Sequence, residues 1–386
     1  MKYLGQLKQV QLKNKTCLLR IDLNIEIRKK EAFRIQAILP TIKFLVKNGA
    51  RVVILSHRGR PNKFKNTKFL PAQAGKIKNF SLRPFAEIIS QSLKKPVHFL
   101  GLKLFSSDIA KIKKSLPGTI FLLENLRFLS EEEKNDRQFA KFLASLGDIY
   151  INDAFAVSHR ANASVAAITK FLPSYVGLVL EKEIQNLNWL MKHSRKPLVI
   201  ILGGAKVSDK IGLINNFLAK ADYFLIAGAM ANTFFAKQGL PVGDSLYEEK
   251  VKLENLMSRL DKQIILPKDV VIYQRKILDI GPETIKYFQK IIQGARTIIW
   301  NGPLGWIEKE RFTCGTKIVG QAILKNKQAK IVIGGGETIA SLPFKPKNQN
   351  PKPGVFLSTG GGAMMEYLAG KKLPGIKALK DANMRM

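Results

Sequence analysis

The stretch Leu198–Val199–Ile200–Ile201–Leu202–Gly203–Gly204–Ala205–Lys206–Val207–Ser208–Asp209–Lys210 decides the fold. Its apolar run shows no polar alternation and reads as a strand buried on both faces, the situation of a parallel strand covered by helices. Two glycines end the run, and the residues after them read as the approach to a helix. Similar runs lie on either side of it. The first half offers Cys17–Leu23, Arg51–Ser56, Thr119–Leu123 and Asp148–Asn152. The second adds Tyr223–Ala227, Gln263–Leu266, Thr297–Trp300 and Lys330–Ile333. Strand followed by helix, repeated, predicts an α/β protein with right-handed crossovers.

The chain has 386 residues, more than the roughly 250–300 at which one core stops growing, so two domains are expected. Between the halves, Tyr175, Leu178, Leu180, Ile184, Leu187 and Leu190 recur at near-helical spacing, bracketed by Pro173 and Pro197. This predicts a helix over Ser174–His193. The expected fold class is therefore α/β: two doubly wound parallel-sheet domains joined by a helix, with a cleft between them. The boundaries fall at 1–172, 173–193 and 194–373, with a tail at 374–386. Phe344–Gly354, rich in Lys, Asn and Pro, reads as an exposed loop.

Composition narrows the function. Hydrophobic residues make up 46% and charged residues 24%, and the 29 Gly and 17 Pro have no short period, which excludes disordered and collagen-like chains. Cys17 and Cys314 are far apart and in no paired motif, and the four histidines are scattered, which argues against a disulfide scaffold and a Cys/His metal centre. No signal-peptide core is evident near Met1, and the longest apolar stretch, Tyr223–Ala231, is too short to span a bilayer. A cytoplasmic, reduced, soluble protein with no membrane partner is expected.

The 64 Lys+Arg against 29 Asp+Glu give a net charge of +35, and the isoelectric point is near 10.1. Such a charge invites a nucleic-acid partner. The lysines are spread, however, as in Lys63–Phe64–Lys65, Lys111–Ile112–Lys113–Lys114 and Lys371–Lys372. With no long basic run and no interleaved aromatics, the charge reads as a solvated surface and not as a specific nucleic-acid site. A cationic cleft would suit small anions.

Three glycine-rich turns follow apolar runs in the second half: the one at Gly203–Gly204, Gly334–Gly335–Gly336–Glu337–Thr338, and Gly360–Gly361–Gly362–Ala363. Glycines let a backbone approach a phosphate, and a helix N-terminus supplies free N–H groups. Each turn alone reads equally well as a tight βα connection. Three together favour a nucleotide. Neither a Walker-type loop nor a dinucleotide fingerprint is present, so the nucleotide site is of another kind.

The first half carries a different set. Asp22 and Asn24 end the first run, His57, Arg58 and Arg60 follow the second, Arg127 follows the third and Arg160 the fourth, while Arg34 opens the first helix. One such Arg alone reads as a surface ion pair and His57 alone as a structural histidine. As a set placed just past several strands, they point to one anion-binding cleft, because a guanidinium presents a planar fork to phosphate or carboxylate.

These residues resemble the phosphoglycerate kinase family over essentially the full length. The matching segments are Arg20–Ile21–Asp22–Leu23–Asn24, Arg34 to Thr41 (RIQAILPT), Ser56–His57–Arg58–Gly59–Arg60–Pro61, Leu122 to Arg127 (LLENLR), Asn152–Asp153–Ala154–Phe155 and Ser158–His159–Arg160–Ala161. In the second half they are GGAKVSDK from Gly203, DIGPET from Asp279, WNGPLG from Trp300, and the Gly334 and Gly360 turns.

The resemblance implies a glycolytic and gluconeogenic phosphotransferase, ATP + 3-phosphoglycerate ⇌ ADP + 1,3-bisphosphoglycerate, with Mg²⁺, in a monomer whose domains close by a hinge. It implies an N-terminal domain for phosphoglycerate, onto which the C-terminal tail packs, and a C-terminal domain for the nucleotide. Asp22, Asn24, Arg34, His57, Arg60, Arg127 and Arg160 would bind the acid substrate. Lys206 and Lys210 would contact the nucleotide and the transferring phosphoryl, and with Arg34 would be catalytic. Asn301, Pro303 and Glu308 would line the nucleoside. Gly334, Gly335, Gly336, Glu337, Thr338, Gly360, Gly361 and Gly362 would hold phosphates, with Glu337 toward the metal. The chain departs from the family pattern at Arg58, Asn162, Ile277, Glu337 and Met364–Met365; Ile277, in place of a glycine, would border the adenine.

Overall fold

The computed structural model describes residues 1–25, 32–61, 79–102, 106–259, 263–344 and 349–384. The Lys63–Lys65 run lies outside them, as do residues 345–348 of the expected Phe344–Gly354 loop. The chain divides into two compact units, Met1–Ile184 with Lys372–Met386, and Gln185–Lys371.

The first unit is built on a six-stranded sheet. Its strands are β1 (Thr16–Arg20), β2 (Arg51–Leu55), β3 (Val97–Leu100), β4 (Ile120–Leu123), β5 (Ile149–Asn152) and β6 (Ser174–Val176), in the order β3-β4-β2-β1-β5-β6. All pairs are parallel. β1 and β4 are buried at every residue, which is why they lack polar alternation. The exception is Arg20, a charged residue inside a buried strand.

The second unit repeats the plan. β7 (Leu198–Leu202), β8 (Tyr223–Ile226), β9 (Ile264–Ile265), β12 (Thr297–Asn301), β13 (Lys330–Gly334) and β14 (Val355–Ser358) form a parallel sheet ordered β14-β13-β12-β7-β8-β9. An antiparallel hairpin, β10 (Val270–Tyr273) with β11 (Lys276–Ile280), stands apart from it.

The sequence-based expectation needs correction between the halves. The helix begins at Leu178 and runs to His193. Ser174–Val176, expected to be helical, pairs with Tyr150–Asn152 as the edge strand β6. Gly177 separates the two, and a side chain there would collide with Asp153, whose Oδ1 would lie 2.4 Å from its Cβ. Asp153 itself accepts from the Val179 and Leu180 amides, at 2.7 and 3.2 Å, so it caps the helix from the end of β5. The division between the units falls within this helix. The tail helix Pro374–Met384 belongs to the first unit, where the Gly375 amide donates to Ser158 O at 2.9 Å. β3, β10, β11 and β14 also escaped the reading of the sequence. Among the described residues, no helix is long and apolar enough to cross a membrane.

Candidate functional site

In the first unit, Arg20 pairs with Leu55 on one side and Asn152 on the other, so β1, β2 and β5 end at the same level, and β4 pairs beside β2. The loops leaving these four ends carry the expected acid-binding residues. This is where an open α/β sheet collects a ligand. Asp22 and Asn24 follow β1. The Asp22 carboxylate accepts from the Asn24 amide at 3.0 Å and meets Arg34 Nη1 at 3.3 Å. Arg34 Nη1 also donates to Asn24 O at 3.2 Å. The Asn24 side chain accepts from the Gly59 amide at 2.8 Å, tying the loop after β1 to the loop after β2.

His57 follows β2 and is buried. Burial holds its pKa well below the ordinary histidine value, and the charges of Arg20, Arg127, Arg160 and Arg34 push the same way. Four guanidiniums from separate segments thus act on one imidazole. Arg127, past β4, donates to Gly59 O at 2.8 Å and faces Glu133 at 3.6 Å. Burial, then Arg160 and Arg20, lower its pKa to about 10. Arg160, half-buried, donates to His159 Nε2 at 3.2 Å. Arg60 is exposed on the loop after β2. Arg58 donates to Ser81 O and lies 5.5 Å from the Phe85 ring centroid.

The second unit builds its face from backbone. Leu202, Asn301, Gly334 and Ser358 lie in one row across β7, β12, β13 and β14, and the glycine turns leave from it. The Gly203 amide donates to Asn301 O and the Gly204 amide to Pro303 O, at 3.0 and 2.9 Å. A Cβ on Gly203 would stand 2.0 Å from Pro303 O, and Gly302 and Gly335 have φ of +95° and +98°. Glycine is required where the connections approach so closely. A Cβ on Gly361 would lie 3.1 Å from Gly335 Cα, which brings the second and third turns together. Gly336 and Gly361 open helices, and Gly362 is exposed in the first turn of the latter.

Lys206 is exposed and Lys210 is buried, its Nζ 3.4 Å from Lys206 O. Burial lowers the Lys210 pKa, and Asp209, Glu248 and Glu337 oppose that shift. Ser208 donates to Glu248 from both its amide and its hydroxyl, at 2.9 and 2.7 Å, which anchors the loop bearing the two lysines.

A cavity of about 1090 Å³ opens beside this face, lined among others by Gly204, Ile277, Pro303, Trp306, Glu308 and Glu337. Ile277 is therefore at the cavity wall, where its amide donates to Ser245 Oγ at 2.8 Å. Asn301 is buried behind the turns. The Thr338 hydroxyl accepts from the Gly302 amide at 2.9 Å and is engaged in the turn itself. The half-exposed Trp306 also lines the cavity and was not singled out from the sequence; Asp279, quoted there as the start of a family segment and given no role, lines it too. An exposed tryptophan among glycines was the available signal. Met364 is fully buried, packed at Gly334.

The fit to Mg²⁺ rests on the donor set. Among the described residues, no three His, Cys, Asp or Glu side chains gather as a metal cage. Mg²⁺ is commonly bound by one or two carboxylates, substrate phosphates and water. The exposed Glu337, which lines the cavity beside the glycine turns, suits that mode.

The family model for phosphoglycerate kinase matches residues 7–371. The chain is 41% identical to the phosphoglycerate kinase of Finegoldia magna and 40% identical to that of Moorella thermoacetica, in each case over 97% of this chain and 98% of the relative. The crystal structure of phosphoglycerate kinase from Pyrococcus horikoshii OT3 superposes with a TM-score of 0.82 at 30% identity, over 100% of both chains. The structure of phosphoglycerate kinase from Coxiella burnetii gives 0.75 at 33% identity, over 98% of each chain. Arginines at the strand ends of one sheet, glycines at those of the other and a match along almost the whole sequence agree: the chain belongs to the phosphoglycerate kinase family.

Proposed function

We propose that the first unit, with its C-terminal tail helix, holds 3-phosphoglycerate and the second holds ATP or ADP. The chain is a phosphotransferase of glycolysis that moves a phosphoryl group reversibly between ATP and the carboxylate of 3-phosphoglycerate. The observation that carries the division of labour is the convergence of Arg20, Arg34, Arg127 and Arg160 on His57. Positive charge gathered past the ends of four strands suits an anion bearing both carboxylate and phosphate.

The acceptor carboxylate is already a nucleophile, so the reaction asks for no general base. It asks for alignment and for positive charge on the equatorial oxygens. In this reading Asp22 and Asn24 shape the acid pocket, and His57, Arg60, Arg127 and Arg160 bind the substrate anion. Arg34, with a side chain lightly held by Asp22 and Asn24, turns its fork to the transferring phosphoryl. Lys206 and Lys210 reach the nucleotide phosphates, the glycine-turn amides bind them, and Ile277, Pro303 and Glu308 border the nucleoside. Glu337 would help hold Mg²⁺, which when bound neutralises phosphate charge. Because the two faces belong to separate units, transfer requires hinge-type closure, which also excludes water and limits ATP hydrolysis. The reading takes the chain as a cytoplasmic monomer whose basic surface binds nucleic acid only nonspecifically and loses it with salt.

The deciding experiment is a coupled assay with ATP, Mg²⁺ and 3-phosphoglycerate. Turnover within the roughly 1–100 s⁻¹ usual for kinases is expected. Turnover below about 10⁻³ of that range would overturn the reading.

A further inference from the structure

Arg20 lies inside β1 with 1% of its surface exposed, where it cannot meet a substrate directly. Its donors are engaged in the protein. Nε donates to Ser164 Oγ at 2.8 Å, Nη1 to the Ile21 carbonyl, and Nη2 to His57 Nδ1 at 3.1 Å. Behind it lies Glu132, equally buried, with Oε1 4.0 Å from Nη2. The Glu132 carboxylate accepts from the Ser164 amide at 2.9 Å and hydroxyl at 2.6 Å. Tyr150 fixes Ser164 in turn by donating to its carbonyl at 2.7 Å. A buried network therefore runs from Glu132 through Ser164 and Arg20 to His57, each member orienting the next.

A guanidinium has donors and no acceptor. The His57 Nδ1 that faces it must present its lone pair, which leaves the ring proton on Nε2. The rival partner is Asp22, whose Oδ1 stands 3.8 Å from Nδ1, beyond hydrogen-bond reach, and is occupied by the Asn24 amide. We infer that Arg20 is a positioning residue that fixes His57 as the neutral Nε2–H tautomer, so that the imidazole meets the acid substrate as a pH-independent hydrogen-bond donor and not as a cation. The consequence for catalysis rests on the proposed role of His57 as a ligand of 3-phosphoglycerate.

The surrounding charges favour this state from every side. Arg20 on β1, Arg34 on the helix Ala32–Lys47, Arg127 past β4 and Arg160 past β5 all oppose a second proton, as burial does. Against them stands the Asp22 carboxylate, which Arg34 already shares. Glu132 lies on the far end of the Arg20 network, bound to Ser164. A neutral donor adds a directional contact to the anion without adding a fifth like charge to the cluster.

With four histidines in the chain, long-range ¹H–¹⁵N correlation spectra of the ¹⁵N-histidine-labelled, substrate-free protein resolve the question. The expected result is one imidazole with the Nε2–H signature from about pH 5.5 to about pH 8, lost in His57→Gln. The double variant Arg20→Gln/Glu132→Gln removes the ion pair as a unit. Burial and the remaining arginines still oppose a second proton there, but Nδ1 no longer faces an obligate donor, so the Nδ1–H tautomer should appear beside the Nε2–H one. The KM for 3-phosphoglycerate should rise a few-fold with it, kcat moving less. An Nε2–H signature unchanged in the double variant would overturn the positioning role of Arg20. His57→Gln keeps a neutral N–H donor and should raise KM by no more than about tenfold. A native His57 that gains its second proton within the window, or carries its proton on Nδ1, overturns the inference. The native spectrum decides it even if the double variant fails to fold. Absent kinase turnover would sink the proposed function and leave the spectrum as judge of the tautomer.

Discussion

Both units place their candidate functional groups at the carboxyl ends of a six-stranded parallel sheet, yet they are built from opposite materials. The first presents long charged side chains, Arg34, Arg127 and Arg160 around His57, steadied by Asp22, Asn24 and buried Arg20. The second presents almost no side chain at the equivalent place, only Gly203, Gly204, Gly335 and Gly361 packed backbone against backbone. A small acid needs charges aimed at it from several directions. A nucleotide tail needs amides that come close, and any side chain is in the way. In the proposed reading, two parallel sheets of different strand order each serve an anion, one through what is added to the backbone and the other through what is left off.

The largest effect should come from breaking the charged face at Arg34. Among the described residues, Arg34 is held by contacts of 3.3 and 3.2 Å to Asp22 and Asn24, so its removal should cost the fold little. Arg34→Ala should lower kcat by on the order of 10²–10⁴, as expected for a preorganised donor to the transferring phosphoryl. KM for 3-phosphoglycerate should move far less, because the other arginines still hold the ground state. Arg34→Lys should recover little, since an ammonium lacks the fork. Steady-state kinetics with melting curves checks this. A folded Arg34→Ala enzyme with most of its kcat would dissolve the contrast between the two faces.

A second test concerns what the faces share. Each unit buries one aspartate that caps a helix: Asp153 against the amides of Val179 and Leu180, and Asp279 against that of Gly315 at 3.0 Å. Burial pushes both carboxyls up to about 6, against the amides that pull them down. Unfolded, an aspartate titrates near 3.8. Between these values the folded chain holds protons that the unfolded chain does not, so stability falls as pH rises from about 4 to about 6 and levels off above. Each carboxyl contributes on the order of 3 kcal/mol to that fall. Asn at 153 keeps an acceptor for the two amides and has nothing to titrate. Relative to the native chain, Asp153→Asn should therefore gain stability as pH rises through this range, read as the difference in urea midpoints. A difference that stays flat with pH would show that Asp153 is ionised in the folded chain at its ordinary value.

Much of this was legible in the sequence because strand ends are punctuated. An apolar run followed by glycines, or by His-Arg-Gly-Arg, marks both the strand and the face it opens on, and the end of β7 was read correctly to the residue. The failures have physical causes. β6 is three residues long, and its Tyr175 fits a helical stripe as well as a strand. The β10–β11 hairpin turns through Gln274 and Arg275, at φ of 46° and 60°, with no Asn-Gly or Asp-Gly to announce it. Arg20 could have been suspected, since a charge inside an otherwise apolar strand needs buried partners. Which partners, Glu132 and Ser164, depends on segments more than 100 residues away, which strand periodicity does not encode.

The bare-backbone face can be tested without harming the fold. A Cβ at Gly362 would meet nothing within 4 Å. Gly362→Ala should leave the melting temperature unchanged, and helix propensity favours it slightly. If phosphate oxygens approach this helix start, the added methyl should weaken nucleotide binding about tenfold, measured by titration with ADP and Mg²⁺. Gly335→Ala is the control, because φ of +98° and a Cβ 3.0 Å from Thr338 Oγ1 should cost stability as well as affinity. Unaltered ADP affinity in Gly362→Ala would remove the third glycine turn from the phosphate site.

The smallest expected effect lies where the glycine face gives way to side chains. Ile277 stands on the cavity wall where the family pattern has glycine, with its amide held by Ser245. Trp306 lies on the same wall, its amide donating to Leu278 O at 2.8 Å and its ring stacked 6.1 Å from that of Phe312. A base lying against that wall would touch apolar surface, and that contact is the same in ground and transition states. Ile277→Gly should therefore change the nucleotide KM by a few-fold while kcat stays within about twofold, the pattern of uniform binding. The direction of the change reports the geometry. A rise means that the β-branched side chain packs on the base, the loss being about what one or two buried methylenes are worth. A fall means that it narrows the slot. An unaltered KM would show that the base does not reach Ile277, and that the side-chain-poor character of the second face extends across the whole nucleotide.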